Sequence, residues 1–266
     1  MKTRSRLVWL LLMILLLGCA PAAHAGAPQA PDDPASVVYL PFIAREWTPT
    51  PVCLPTFSDD FSNPLSGWPI QNPGNYVTEY LAGEYRMLLK VDLDVTVVRP
   101  GILADDYIMA ADMRRASITD GTWGLMFGAN DSWTQLYTFE VGPNQDYYLW
   151  RFNSGAWSVL AQGVSTFINP QNDTNRLKVE RNGATIKIYA NGHLLRTVTN
   201  TAYTGLRYMG FVITTYDETN LDVRFDNFAL YPVSCGENAT GAPVQVGESG
   251  SRSLLLPDKF EKLPQR

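Results

Sequence analysis

The sequence predicts an all-β domain in which two antiparallel sheets pack face to face. Between residues 57 and 231, runs of β-prone residues alternate with turn residues roughly every ten positions, a spacing typical of a sandwich or barrel. Two of the turns contain Asn-Gly, at residues 182–183 and 191–192. This pair favours a type I′ hairpin, because both central positions need a positive φ. We find no segment with a convincing helical period.

Alternation within the runs supports half-buried strands. Residues 177–180 and 185–189 alternate apolar and polar side chains, so one face of each strand meets the core and the other meets solvent. The same patterns predict strands near residues 76–80, 84–90, 94–99, 106–115, 122–128, 134–141, 146–152, 156–161, 175–181, 184–190, 193–199, 208–215 and 221–231.

The N-terminal segment predicts export. Three basic residues among the first six precede an unbroken apolar run at residues 7–17, which is too short to span a bilayer and is typical of a signal peptide. Two cleavage signals overlap. One is a lipobox-like Leu-Leu-Gly-Cys, in which Cys19 would be lipidated, and the other is Ala-His-Ala at residues 23–25. With residues 1–25 as the signal, the protein is expected outside the cytoplasm, either secreted or lipid-anchored at the cell surface.

Composition places the folded domain at residues 53–235. Residues 26–52 are rich in Pro and Ala, which is typical of an extended linker. An apolar patch at residues 37–43 is either a strand that packs on the domain edge or an adhesive point in that linker. Residues 236–266 return to Gly, Ser, Glu and Pro and predict a disordered tail.

The cysteines predict one disulfide. Cys19 either leaves with the signal or becomes lipidated, so Cys53 and Cys235 remain as an even pair in an exported protein. They flank the first and last predicted strands, and a bond between them would tie the ends of the domain together. No Cys-x-x-Cys pair or Cys/His cluster occurs, which argues against a zinc site.

The charge excludes two classes of partner. The formal net charge is −5 and no basic patch is present, which argues against nucleic acid and against anionic membrane surfaces. Contact with a membrane is expected only through a lipid at Cys19. Charged residues make up only 18% of the chain and aromatic residues 12%, a balance found both in aromatic β cores and in sugar-binding surfaces.

Six segments share a pattern of strands and turns: DDFSNPLSGW (59–68), GLMF (124–127), YTFEV (137–141), NRLKVERNG (175–183), IKIYANG (186–192) and VRFDNF (223–228). Together they resemble the concanavalin A-like lectin and glucanase superfamily, and in particular the 3-keto-disaccharide hydrolase-like domains. The resemblance implies a two-sheet jelly roll whose concave face often holds sugars. It also implies a structural calcium, for which Asp226 is the expected ligand, with backbone carbonyls near Asp59 and Asp60.

The residues give little sign of catalysis. The glucanase run Glu-x-Asp-x-x-Glu is missing, and Glu140 is the only acid in the strand at residues 137–141. Outside the signal segment, His193 is the only histidine, and no Gly-x-Ser-x-Gly elbow accompanies it. We therefore expect a domain that does not catalyse, although carboxylates paired across strands would reverse this.

Aromatic residues crowd into residues 123–157 and supply the candidate ligand-binding positions. Trp133 and Trp157 lie beside turns and are expected to be more exposed than the others. In the next run, Tyr148 and Trp150 share one face of a strand. If Leu149 points inward, they can bind, and if Trp150 points inward, the site moves to the opposite face. The sequence leaves this open.

Three functions fit these observations. The first is a non-catalytic module that binds an extracellular polysaccharide or oligosaccharide through aromatic rings. The second is a structural or adhesive surface protein that assembles with other chains. The third is a glycoside-hydrolase-like enzyme acting on disaccharides or keto-disaccharides, which would need at least two converging acids.

Overall fold

Strands and the turns between them make up the described part of the chain. The computed structural model describes residues 53–235 and 245–255, and these residues form seventeen strands and no helix. Accordingly, no helix of the described residues could cross a membrane. The signal segment, Cys19 and the linker at 26–52 lie outside the described residues.

The strands are β1 Phe57–Asp59, β2 Tyr76–Leu81, β3 Glu84–Leu89, β4 Asp94–Arg99, β5 Ile102–Ala104, β6 Tyr107–Arg115, β7 Thr122–Ala129, β8 Gln135–Val141, β9 Asp146–Asn153, β10 Ala156–Val164, β11 Asn175–Asn182, β12 Thr185–Ala190, β13 His193–Thr199, β14 Arg207–Thr214, β15 Leu221–Tyr231, β16 Gln245–Val246 and β17 Gly250–Leu255. The thirteen predicted strands all occur. The strands β1, β5, β16 and β17 were not predicted.

Two antiparallel sheets form the sandwich, which confirms the predicted fold class. Sheet A has the order β13-β12-β11-β6-β15-β3-β2, and β1 joins it through β15. Sheet B has the order β10-β9-β8-β7-β14-β4-β17, with β5 paired to β14 and β16 paired to β5. Both predicted Asn-Gly turns form hairpins, β11–β12 and β12–β13, and they build one edge of sheet A.

The main core lies between the sheets and is strongly aromatic. Phe211 of sheet B stacks on Phe225 of sheet A, with ring centroids 4.1 Å apart. Trp68, from the loop after β1, stacks on the same Phe211 ring at 4.5 Å. These side chains are fully buried or nearly so, and the alternation of each strand delivers them to the interior.

The two ends of the domain meet, as the cysteine pair predicted. β1 pairs with β15 in the register Phe57 to Leu230. Beside this pair, Cys53 and Cys235 form a disulfide across a sequence separation of 182 residues, with Cα atoms 5.4 Å apart.

The tail prediction was wrong for residues 245–255. β17 pairs along the whole of β4, in the register Gly250 to Arg99 and Leu255 to Asp94, and β16 pairs with β5. The Ser and Gly content of this segment had suggested disorder. Its polar side chains instead make specific bonds, since the Ser253 hydroxyl bonds to the Asp94 carboxylate and Arg252 Nη1 donates to the Ser132 carbonyl at 2.8 Å.

Candidate functional site

The two outer faces of the sandwich differ in chemistry. The outer face of sheet A carries charged side chains in ion pairs, as expected for a face in contact with water. Examples are Arg86 with Asp222, at 2.8 Å, and Lys187 with Glu180, at 2.6 Å. Such exposed pairs contribute little to stability, but they keep the face hydrated.

The outer face of sheet B instead carries a second apolar cluster. Its buried members pack together and come from strands β4, β7, β8, β9, β14 and β17, with one residue from the turn after β14: Val95, Val97, Met126, Ala129, Leu136, Phe152, Tyr208, Val212, Tyr216 and Leu254. We call this surface, with the aromatic and polar residues that border it, the aromatic face. The members of the cluster are closely packed and at most 7% exposed.

Strand β9 settles the question that the sequence left open. Leu149 is fully buried in the main core, so Tyr148 and Trp150 point to the aromatic face. Their rings are nearly parallel, with centroids 5.7 Å apart and an interplanar angle of 10°. Both side chains are nevertheless buried, with Tyr148 2% and Trp150 7% exposed.

Trp133 and Trp157 complete the predicted set. Both are half-buried and therefore more accessible than Tyr148 and Trp150, although neither is fully exposed. Trp157 lies on edge strand β10 and contacts the ring of Phe152, with centroids 4.8 Å apart. Trp133, with a positive φ of 59°, lies over the guanidinium of Arg99 at 4.4 Å. The structure thus brings all four predicted residues to one face.

A buried carboxylate lies at the polar end of this face. Glu140 is paired in register with Tyr148, and three threonine hydroxyls donate to its carboxylate: Thr122 at 2.6 Å, Thr138 at 2.6 Å and Thr214 at 2.7 Å. Burial raises the pKa of the Glu140 carboxyl above its ordinary value near 4.5, whereas the three hydrogen bonds act in the opposite direction.

Two more polar groups border Glu140. Asp146, at the start of β9, shares the face of Tyr148, and its Oδ1 atom is buried without a hydrogen-bond partner among the described residues. The hydroxyl of Tyr216 lies 3.2 Å from that of Thr122. Burial, followed by the charge of Glu140, raises the pKa of Tyr216 well above its ordinary value, so this hydroxyl stays protonated and able to donate.

The centre of the aromatic face has no side chains at two positions. Gly124 pairs with Glu140 across β7 and β8, and Gly210 of β14 pairs with Met126 of β7. A Cβ atom at Gly124 would lie 2.8 Å from the Glu140 Cα, and one at Gly210 would lie 2.9 Å from the Val98 carbonyl carbon. These positions therefore accept only glycine, and no side chain projects from the aromatic face at either of them.

Solved structures show which fold this is. The sequence matches no protein-family model and no curated protein. A Bacillus subtilis protein of unknown function with a galectin-like fold superposes with a TM-score of 0.52 at 13% identity, over 68% of this chain and 96% of that chain. The fold is a concanavalin A-like jelly roll.

Two further jelly rolls are enzymes. The GlcNAcα1-4Gal-releasing endo-β-galactosidase from Clostridium perfringens has a TM-score of 0.52 at 11% identity, over 70% of this chain and 64% of that chain. The κ-carrageenase from Pseudoalteromonas carrageenovora, solved with an oligotetrasaccharide of κ-carrageenan, has a TM-score of 0.51 at 10% identity, over 73% of this chain and 99% of that chain. At these identities the likeness concerns the fold alone.

The calcium prediction at Asp226 stays a prediction. Asp226 lies beside a bulge of β15, where its Oδ1 atom accepts a hydrogen bond from the Asn227 amide at 2.7 Å. Burial raises the pKa of its carboxyl. Within residues 53–235 and 245–255, no group of three or more His, Cys, Asp or Glu side chains is arranged to hold a metal ion.

Glu140 should make stability depend on pH. Because its pKa is raised by folding, the folded jelly roll binds a proton more tightly than the unfolded chain does, and stability should fall as pH rises from about 4.5 through the folded pKa. Glu140→Gln should remove this decline, which urea unfolding between pH 4 and 8 would measure. Glu79→Gln, on the outer face of sheet A, is the control. Parallel pH profiles for wild type and Glu140→Gln would contradict the expectation.

Proposed function

We propose that the aromatic face binds a polysaccharide or oligosaccharide outside the cell and leaves it intact. The observation that carries the proposal is the convergence of Trp133, Tyr148, Trp150 and Trp157 on one face of sheet B, next to buried polar groups. Sugars present faces of C–H groups that stack on flat rings, and their hydroxyls need fixed hydrogen-bond partners. Both kinds of group are present.

The accessible border of the face supplies the stacking surface. Trp157 is half-buried on β10, and its neighbours Val159 and Gln162 on the same edge strand are exposed. A glycan approaching from this edge meets an aromatic ring before it reaches the deeper groups. Asp146, whose Oδ1 atom has no hydrogen-bond partner among the described residues, then provides a carboxylate oxygen that can accept from a sugar hydroxyl.

Hydrolysis is the second candidate. Glu140 and Asp146 share a face on adjacent strands, at diagonal positions whose Cα atoms lie roughly 7–8 Å apart in such pairs. A raised pKa would let Glu140 act as a proton donor. This would fit the resemblance to 3-keto-disaccharide hydrolase-like domains. Release of reducing ends from a retained glycan, and its loss in Glu140→Gln, would favour hydrolysis over simple binding.

Trp157→Ala should weaken glycan binding about tenfold or more, because removing an aromatic ring that contacts the ligand costs about 2 kcal/mol. The measurement is retention of the full chain on an array of polysaccharides and oligosaccharides, followed by titration with each retained glycan. Tyr189→Ala is the matched control, since Tyr189 lies on the outer face of sheet A under Lys178.

A different pattern would count against binding at this face. Equal retention of Trp157→Ala and Tyr189→Ala would place the site elsewhere. An empty array combined with self-association of the chain would favour the structural or adhesive role. Repeating the array with a chelator tests the proposed calcium near Asp226, because loss of a structural cation should lower both binding and thermal stability.

A further inference from the structure

The end of the aromatic face remote from Glu140 carries two arginines that form no ion pair with a described carboxylate. Arg99 lies on β4, and Arg252 lies on β17 opposite Val97, two residues before Arg99. Among the described residues, no carboxylate oxygen lies within 4 Å of either guanidinium. The outer face of sheet A differs here, since Arg86, for example, contacts two acids.

Arg99 is buried with most of its donors unused. The residue is 4% exposed, its Nε atom is buried without a partner, and its only hydrogen bond within the described residues runs from Nη1 to the Asn130 carbonyl at 3.2 Å. Burial lowers the pKa of this guanidinium, whereas the more distant charges of Asp131 and Glu248 act in the opposite direction. A buried charged group normally has a partner, because desolvation of an unpaired charge is unfavourable.

Aromatic rings hold the guanidinium in place. Its central carbon lies 3.6 Å from the ring centroid of Tyr208 and 4.4 Å from that of Trp133. Stacked arginine keeps its in-plane N–H groups for a further acceptor, in a fork that matches carboxylate or sulfate oxygens. The position opposite Arg99 on β17 is Gly250, and the Trp133 ring borders it, since a Cβ atom placed there would lie 3.7 Å from Trp133 Cζ2.

Arg252 adds a second cation at the open side of the same position. Its side chain is exposed, and Nη1 donates to the Ser132 carbonyl at 2.8 Å. Diagonal residues on neighbouring antiparallel strands lie roughly 7–8 Å apart at Cα, within reach of two long side chains converging on one anion.

We propose that Arg99 and Arg252 bind the anionic group of an acidic sugar, so that the glycan taken by the aromatic face carries carboxylate or sulfate groups. The anion site rests on the proposed function, which places the glycan on the aromatic face. The acidic group would lie at the Trp133 end, and the uncharged part of the chain would extend over Gly210 and Gly124 toward Trp150. The net charge of −5 repels a dense polyanion, so the site favours glycans with well-spaced charges.

The test titrates the full chain with D-glucuronate, D-glucose 6-sulfate and D-glucose at constant ionic strength, followed by ligand-observed NMR. At least one acidic sugar should bind about tenfold more tightly than glucose, and which one does so identifies the anionic group. Arg252→Gln should weaken that binding about fivefold, because it removes one of two cations. Arg196→Gln, an exposed arginine on β13, is the control and should change nothing.

A second variant tests the geometry of the buried group. Arg99→Lys keeps the charge but loses the planar fork, and it should abolish the preference for the acidic sugar while circular dichroism shows an intact fold. The inference is overturned if glucose binds as tightly as both acidic sugars, if neither acidic sugar binds, or if Arg252→Gln and Arg196→Gln behave alike.

These outcomes are separate from those of the proposed function. Glycan retention that depends on Trp157 but not on sugar charge would leave the carbohydrate face in place and remove the anion site. Binding of acidic sugars that depends on Arg252, without retention of any longer glycan, would support the anion site and contradict the proposed glycan-binding face.

Discussion

Phe211→Ala should lower the free energy of unfolding by about 3–5 kcal/mol, the range expected for removing a fully buried aromatic ring. Phe211 is 0% exposed and stacks on both Phe225 and Trp68, so its loss leaves a cavity bounded by those two rings. Trp68 has little room to move into the space, because it also packs against Tyr85 and Phe228. Urea or thermal unfolding of the full chain measures the effect.

A matched control separates this effect from a general loss of apolar surface. Leu194→Ala removes an apolar side chain that is 50% exposed on edge strand β13, and it should change stability by less than about 0.5 kcal/mol. A loss below about 1 kcal/mol for Phe211→Ala would mean that the core between the sheets repacks readily.

Removing the disulfide should cost about 2–5 kcal/mol. The bond between Cys53 and Cys235 closes a loop with a sequence separation of 182 residues, and long loops restrict the unfolded chain most strongly in the chain-entropy account. Next to the disulfide, the two ends of the domain are also held together by the pairing of β1 with β15. The melting temperature should fall by about 5–15 °C in the Cys53→Ser, Cys235→Ser double variant.

Reduction of the wild-type protein should lower the melting temperature by the same amount as the double variant. A larger fall in the double variant alone would show that serine at these positions disturbs packing. An unchanged melting temperature under both treatments would show that the β1–β15 pairing already confines the chain ends.

Local signals in the sequence were enough to predict most of the strands and the fold class. The Asn-Gly pairs at 182–183 and 191–192 specify their hairpins through backbone geometry alone, and alternation in β11 and β12 reports which face is buried. The cysteine pair reported the meeting of the two ends. β17 was missed because its polar residues are ordered by partners far along the chain, such as Asp94 for Ser253, which composition does not show.

The candidate site could be predicted only in part. Four aromatic positions were identified by their crowding, but Tyr148 and Trp150 could be oriented only once the core around Leu149 was known. Glu140 was visible as a lone acid in a strand, and its polar surroundings depend on threonines from three different strands. Arg99 gave no sequence signal, because its rings come from a loop and from β14.

The pairing of β17 with β4 bears on whether copies of this protein can associate through the edge of sheet B. All six residues of β4 are buried, and β17 bonds to the side of β4 that would otherwise lie open along sheet B. A protein lacking residues 245–255 would present an unpaired, valine-rich strand, the kind of edge on which β proteins polymerise. In the described structure, β17 therefore covers this edge of sheet B.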